Sequence, residues 1–172
     1  MPNDIKIITT GGTIDKVYFD ANSQFEVGNP TIEEILKIAN VTFSYEIVSP
    51  LRKDSLELTD EDRKILKSLV TSSPEKRILI THGTDTMADT AKYLGDIKGK
   101  VIVFTGSMQP ARIQTSDAIF NVGTAISAVQ VLEAGVYIVI NGRVFRADKV
   151  QKNLDLKQFQ PKEKEALVLS EL

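Results

Sequence analysis

Two short stretches carry side chains that could do chemistry unaided. Thr10-Gly11-Gly12-Thr13 sets two hydroxyls beside two glycines, and His82-Gly83-Thr84-Asp85-Thr86 sets two more beside the only histidine and an acid. Adjacent glycines let a backbone turn sharply and present amide N–H groups, as a phosphate loop or an oxyanion hole requires. A Thr beside such amides suits a nucleophile with its own oxyanion donors. Its hydroxyl is a poor nucleophile near neutral pH, so it needs a base or a polarising partner. His82 and a Lys of lowered pKa are the two candidates. The competing reading is structural. Thr and Asp are ordinary helix caps, and a lone His without a positioned partner makes no triad. Nucleotide binding has little support, because neither a Gly-Lys-Ser/Thr end nor a Gly-x-Gly-x-x-Gly run is present. With one His, no Cys and scattered carboxylates, no metal site is expected.

The elements that must position these residues follow from composition and pattern. The chain has 172 residues, 42% hydrophobic and 26% charged, which suits one domain with a full core. A net charge of −2 gives no reason to expect nucleic acid or an anionic membrane as partner. The segment Met1–Asp4 starts no secretory signal and no apolar run is long enough to span a bilayer, so the expected compartment is the cytoplasm.

Ile5–Thr9 reads as a first strand. Asp15 to Pro30, with Tyr18, Phe19 and Phe25, shows no period and reads as a long loop of the kind that forms a lid. Thr31 and Glu34 match a capping box, followed by an apolar face at Ile32, Ile35, Leu36 and Ala39. Val41–Val48 suits a second strand. Thr59 opens a helix with Asp60, Glu61 and Asp62 in its first turn and a stripe at Ile65, Leu66, Leu69 and Val70. Ile78–Ile80 and Val101–Phe104 are continuous apolar runs, the mark of strands buried on both faces. Between them Met87–Leu94 reads as a helix stopped by Gly95.

Ser116-Asp117 opens a helix to about Ala134, apolar at Ile119, Val122, Ala125, Ile126 and Val129. Val136–Ile140 is a fifth strand, Asn141-Gly142 a turn into a short arm at Val144-Phe145, and Ala166–Leu169 a last strand. Such alternation predicts a single α/β domain, a mostly parallel sheet with helices on both faces in the Rossmann or flavodoxin manner. The loops after successive strands should then share one edge. These are Thr10–Thr13, Asp54-Ser55, His82–Asp85 and Gly106–Pro110.

Thr10-Gly11-Gly12-Thr13-Ile14 and His82-Gly83-Thr84-Asp85-Thr86-Met87 together resemble the paired signatures of the bacterial-type L-asparaginase/glutaminase family, in its order and at similar separation. The resemblance continues through Asp54-Ser55, Thr105–Pro110 and Ser116-Asp117, from about residue 5 to about residue 157. It matches that family's larger N-terminal domain. It implies that Thr13 attacks a side-chain amide carbon, releasing ammonia and leaving an acyl-enzyme that water resolves to aspartate. It implies further that Thr84 and Asp85 form a second catalytic group with a buried Lys, either Lys152 or Lys149. Whether the Thr–Lys pair activates Thr13 or acts directly stays open. Asp85 would hold the substrate α-amino group, and Ser55, in the loop with Asp54, its α-carboxylate. Gly12 and Thr84 amides would serve the oxyanion. The implied substrate is asparagine, with glutamine weaker, and the implied assembly is a homodimer or homotetramer.

Three departures bear on this. Phe25 stands where the family's lid carries Tyr, which leaves Tyr18 as a possible substitute hydroxyl. Leu56 replaces a polar residue after the site Ser. The resemblance also ends where the family's C-terminal domain would begin, so the expectation is one asparaginase N-terminal-like domain over residues 1–172, with a raised KM. Two rival readings stay open: a non-catalytic domain that binds asparagine or aspartate, and a hydrolase for another small amide or a lactone.

Overall fold

β1 (Ile5–Thr9) is buried along its whole length, Lys6 and Thr9 included, as a central strand of an α/β sheet is. The computed structural model describes residues 2–19 and 24–162. Around β1, β4 (Tyr45–Val48), β5 (Arg77–Thr81), β6 (Val101–Thr105), β7 (Gly135–Ile140) and β8 (Arg143–Arg146) complete a six-stranded sheet of order β4-β1-β5-β6-β7-β8. All neighbours are parallel except β7 and β8. Asn141 and Gly142 make the two-residue turn between those strands, both at positive φ, as a hairpin of matching twist demands.

Strand parity divides the core. Ile5, Ile7, Leu79 and Val103 meet α1 (Ile32–Ile38) and α4 (Ala118–Val131) on one face. Ile8, Ile78, Ile80 and Phe104 meet α2 (Asp60–Ser72) and α3 (Met87–Leu94) on the other. The α/β architecture read from the sequence is the one observed.

Several local readings change. The segment read as an irregular lid contains β2 (Lys16–Phe19) and β3 (Gln24–Val27), paired antiparallel as a separate ribbon. Four residues per arm are too few to reveal a period of two. The second strand starts at Tyr45, not Val41. Ile5 N donates to the Ser44 carbonyl and Asp4 Oδ2 takes Ser44 N and Oγ, so side-chain bonds replace the ladder before Tyr45. Ile65 and Ile119 are 49% and 60% exposed, lying off the stripes that Leu66, Val70, Val122 and Ala125 bury. Two further strands, β9 (Val150–Asn153) and β10 (Gln158–Pro161), form an antiparallel ribbon that the polar sequence there did not signal. The expected strand at Ala166–Leu169 lies outside the described residues.

The capping box at Thr31 does not form. Thr31 makes no side-chain cap bond; its Oγ1 donates instead to Asp15 Oδ1 at 2.9 Å and to the Ile14 carbonyl at 3.2 Å. At Thr59 the box does form, with Asp62 as the reciprocal partner. A side-chain cap contributes about 1 kcal/mol, so α1 gives up a real increment to serve Asp15.

Candidate active site

Strand order reverses at β1: the chain passes from β1 to β4 on one side of it and then to β5 on the other. In an open α/β sheet a ligand crevice forms at such a point, outside the carboxyl ends of the strands. The loops after β1 and β5 meet there, through backbone. Gly12 has φ 86° and ψ −174°, a region essentially closed to other residues. A Cβ placed on it would lie 2.4 Å from both Cα and N of Gly83. Gly83 in turn sits against Ser55, where an added Cβ would be 2.6 Å from Ser55 Cβ. Thr13 and Thr84, next in sequence to the two touching glycines, therefore flank a single contact. Three loops expected to share an edge do so.

The β4 loop is tied in further by a bridge between Gly11 and Lys53 and by Thr86 Oγ1, which donates to the Ser55 carbonyl at 2.7 Å. The fourth loop joins through His82 N, which donates to the Thr105 carbonyl at 2.9 Å. Thr13 opens a short 3-10 turn, Thr13–Asp15, and is half-buried.

Lys152 arrives from the far side of the sheet. Val150 and Phe159 anchor the β9–β10 ribbon in the core, and Phe159 N donates to Asn141 Oδ1 at 3.1 Å. Lys152, opposite Phe159 in register, then places Nζ 2.8 Å from Thr84 Oγ1 and 2.6 Å from Asp85 Oδ1. Of the two lysines considered, Lys152 makes this contact. Lys149 lies exposed in the 3-10 turn Ala147–Lys149. Because Nζ donates to Thr84 Oγ1, the Thr84 proton is free to donate elsewhere. Asp85 keeps one oxygen toward solvent, its side chain 42% exposed.

Ser55 is buried in the 3-10 turn Ser55–Glu57, which Asp54 caps by accepting from Leu56 N at 3.1 Å. Asp54 also takes an ion pair from Lys16 at 2.8 Å, and that bond holds its carboxyl below the usual range. Leu56 is exposed. Gly12 requires a correction as an oxyanion donor. Its amide already donates to the Lys53 carbonyl at 2.9 Å, a parallel bridge that forms because β4 runs on beside the loop. Tyr18 and Phe25 are paired in the backbone register of the β2–β3 ribbon.

Sequence reading missed Lys16 and Asp15, for which neither spacing nor composition gives a signal. Thr86 was within reach, since it closes the second hydroxyl-rich stretch.

His82 is not a base for this site. Its Nδ1 donates to the Gly83 carbonyl at 2.7 Å, so Nε2 is the acceptor, taking the Thr90 hydroxyl at 2.9 Å. Thr90 Oγ1 accepts in turn from Arg63 Nε at 3.2 Å. Complete burial pushes the imidazole pKa down to about 4. The unfolded chain takes up a proton below about pH 6.5 while the folded one does not, so folded stability falls as pH drops from there toward 4. Relative to His82→Gln, the wild type should lose about 2 kcal/mol more between pH 7 and pH 4.5 in urea denaturation. Equal losses would show that His82 is not buried neutral.

Among the described residues there is no group of three or more His, Asp or Glu placed to hold a metal, and no helix is long and apolar enough to cross a membrane.

Residues 4–169 match the family described as "Asparaginase, N-terminal". The chain is 28% identical over 172 residues to a glutaminase-asparaginase of Acinetobacter glutaminasificans, covering 90% of this chain and 51% of that protein. It is 32% identical to L-asparaginase 2 of Escherichia coli strain K12, covering 88% and 47%. The structure of the thermostable L-asparaginase from Thermococcus kodakarensis superposes with a TM-score of 0.78 at 27% identity, covering 95% of this chain and 55% of that one. The chain thus spans about half the length of the curated relatives it matches. With the two hydroxyl-rich loops meeting at the strand-order reversal and the family match covering nearly the whole chain, this protein belongs to the asparaginase family and corresponds to its N-terminal domain.

Proposed function

We propose that this chain hydrolyses the side-chain amide of L-asparagine to L-aspartate and ammonia, with glutamine a weaker substrate. Thr13 Oγ1 attacks the amide carbon, its proton leaves with the departing ammonia, and water then cleaves the acyl-enzyme to release aspartate. The observation that carries this reading is the Lys152 contact to Thr84 and Asp85, beside the touching glycines that bring Thr13 to the same place. Lys152 holds Thr84 Oγ1 by its lone pair, which turns the Thr84 proton toward the reacting groups. Asp85 presents its free oxygen to the substrate's α-ammonium, and Ser55 and the Thr84 amide serve the α-carboxylate and the oxyanion. No cofactor enters the scheme. The same reading makes the protein a cytoplasmic homodimer or homotetramer.

Ammonia release from asparagine, glutamine and D-asparagine tests the proposal. Wild type should turn over L-asparagine, and Thr13→Ala should fall to background, a loss on the order of 10⁴-fold or more for a missing nucleophile. A wild type that binds asparagine in calorimetry without releasing ammonia would establish the binding-domain reading, which the Phe at lid position 25 favours. Release that persists in Thr13→Ala would remove Thr13 from the mechanism.

A further inference from the structure

We propose that Asp15 is a positioning residue for Thr13, its buried carboxylate locking the one-turn helix on which Thr13 sits; the kinetic part of this rests on the amidohydrolase reading above. Asp15 closes that turn, its amide donating to the Gly12 carbonyl at 3.1 Å, and the following residue's amide returns to the Thr13 carbonyl. The side chain then fastens the turn to the body of the protein. Asp15 Oδ1 accepts Thr31 N at 2.8 Å and Thr31 Oγ1 at 2.9 Å, at the start of α1. The main chain adds two more ties. The Asp15 carbonyl accepts Gly28 N at 2.7 Å, and the Ile14 carbonyl accepts Ala111 N at 3.0 Å. Two segments distant in sequence, 28–31 and the loop at Ala111, thus converge on the two residues after Thr13.

What marks the carboxylate as more than packing is that it breaks local rules. Thr31 and Glu34 have the sequence of a capping box, yet Thr31 leaves its own helix uncapped to bond Asp15. Asp15 is 2% exposed, and its Oδ2 has no partner among the described residues. Burial raises its pKa, opposed by the two Thr31 bonds and by Arg52 and Arg112. A buried, half-satisfied carboxyl is unfavourable for the fold alone. Such departures from local consistency concentrate where a site must be held in one geometry. A hydroxyl nucleophile needs that, since misplacement of about 1 Å can cost on the order of 10²-fold in rate.

The test uses the full chain with Asp15→Ala, Asp15→Asn and Thr31→Ala, read by steady-state kinetics and by amide hydrogen exchange at Asp15 and Lys16. Asp15→Ala should lower kcat for asparagine by about 10- to 100-fold with KM within about twofold, and speed exchange at both amides at least tenfold. Thr31→Ala, which keeps the backbone bond, should give a smaller change of the same kind. Asp15→Asn keeps an acceptor oxygen for both Thr31 bonds and should bring kcat back to within about threefold of wild type, so it separates positioning from failure to fold. Unchanged exchange in Asp15→Ala would overturn the proposal. So would faster exchange with an unaltered kcat, or a fall in kcat that Asp15→Asn does not recover. A wild type that releases no ammonia would defeat the amidohydrolase reading instead, and the exchange data would still show whether Asp15 holds the turn.

Discussion

Lys152→Met should lower kcat for asparagine by about 10³-fold while leaving the fold intact. The magnitude is that of a positioned polar group acting on proton transfer. Among the described residues Lys152 makes two side-chain bonds, to Thr84 Oγ1 and Asp85 Oδ1, and both lie in the candidate site. Removing it strands no buried charge, because Asp85 is 42% exposed and can be solvated. The lost ion pair should therefore cost under about 1 kcal/mol, and Tm should move by no more than about 4 °C. Lys149→Met, in the exposed turn just before, is the matched control and should keep kcat within about twofold. Kinetics of the two variants beside their melting curves decide the matter. If the lysines behave alike, the Thr84–Lys152 contact has no part in turnover.

A second substitution should strike the fold and the site together. Gly12→Ala would put a methyl group 2.4 Å from the Gly83 backbone, in a conformation with φ 86° and ψ −174°. The neighbouring atoms are main chain on both sides, so no side chain can swing away. Forcing an L-residue into that region costs about 1–3 kcal/mol, and overpacking adds about 1–3 kcal/mol. A loss near 3 kcal/mol or more is expected from urea midpoints, a large part of the stability of a domain this size. Activity should fall even where the variant stays folded, since the only relief is to move the Thr13 loop away from the Thr84 loop. A variant as stable as wild type would mean that the two loops do not touch.

The order of elements was legible because both-faces-buried strands advertise themselves: Ile78–Ile80 and Val101–Phe104 are apolar without interruption. Sheet parity and the shared edge followed from that alternation. What stayed hidden was short or polar. The β2–β3 ribbon has too few residues per arm, and β9–β10 buries only Val150 and Phe159. In the site, residue types identified Thr13, Thr84 and Asp85 as able to do chemistry, but Lys152 came only from resemblance, since no local pattern separates it from its neighbours. Asp15 was invisible for a different reason. Its partner Thr31 obeys a helix-capping pattern, and tertiary bonding overrode that local preference.

The partnership between Thr84 and Lys152 spans 68 residues of chain, and it has a bearing on how the molecule comes into being. The Gly12–Gly83 contact spans 71 residues, so loop closure opposes the two about equally, and what distinguishes them is their order along the chain. On a ribosome, the Gly12–Gly83 contact can form before the segment carrying Lys152 has been made. Chain order thus permits a stage in which the two threonine loops have met and their lysine is still absent. Any chemistry that needs Lys152 must then wait for the β9–β10 ribbon, the last of the described strands to be synthesised.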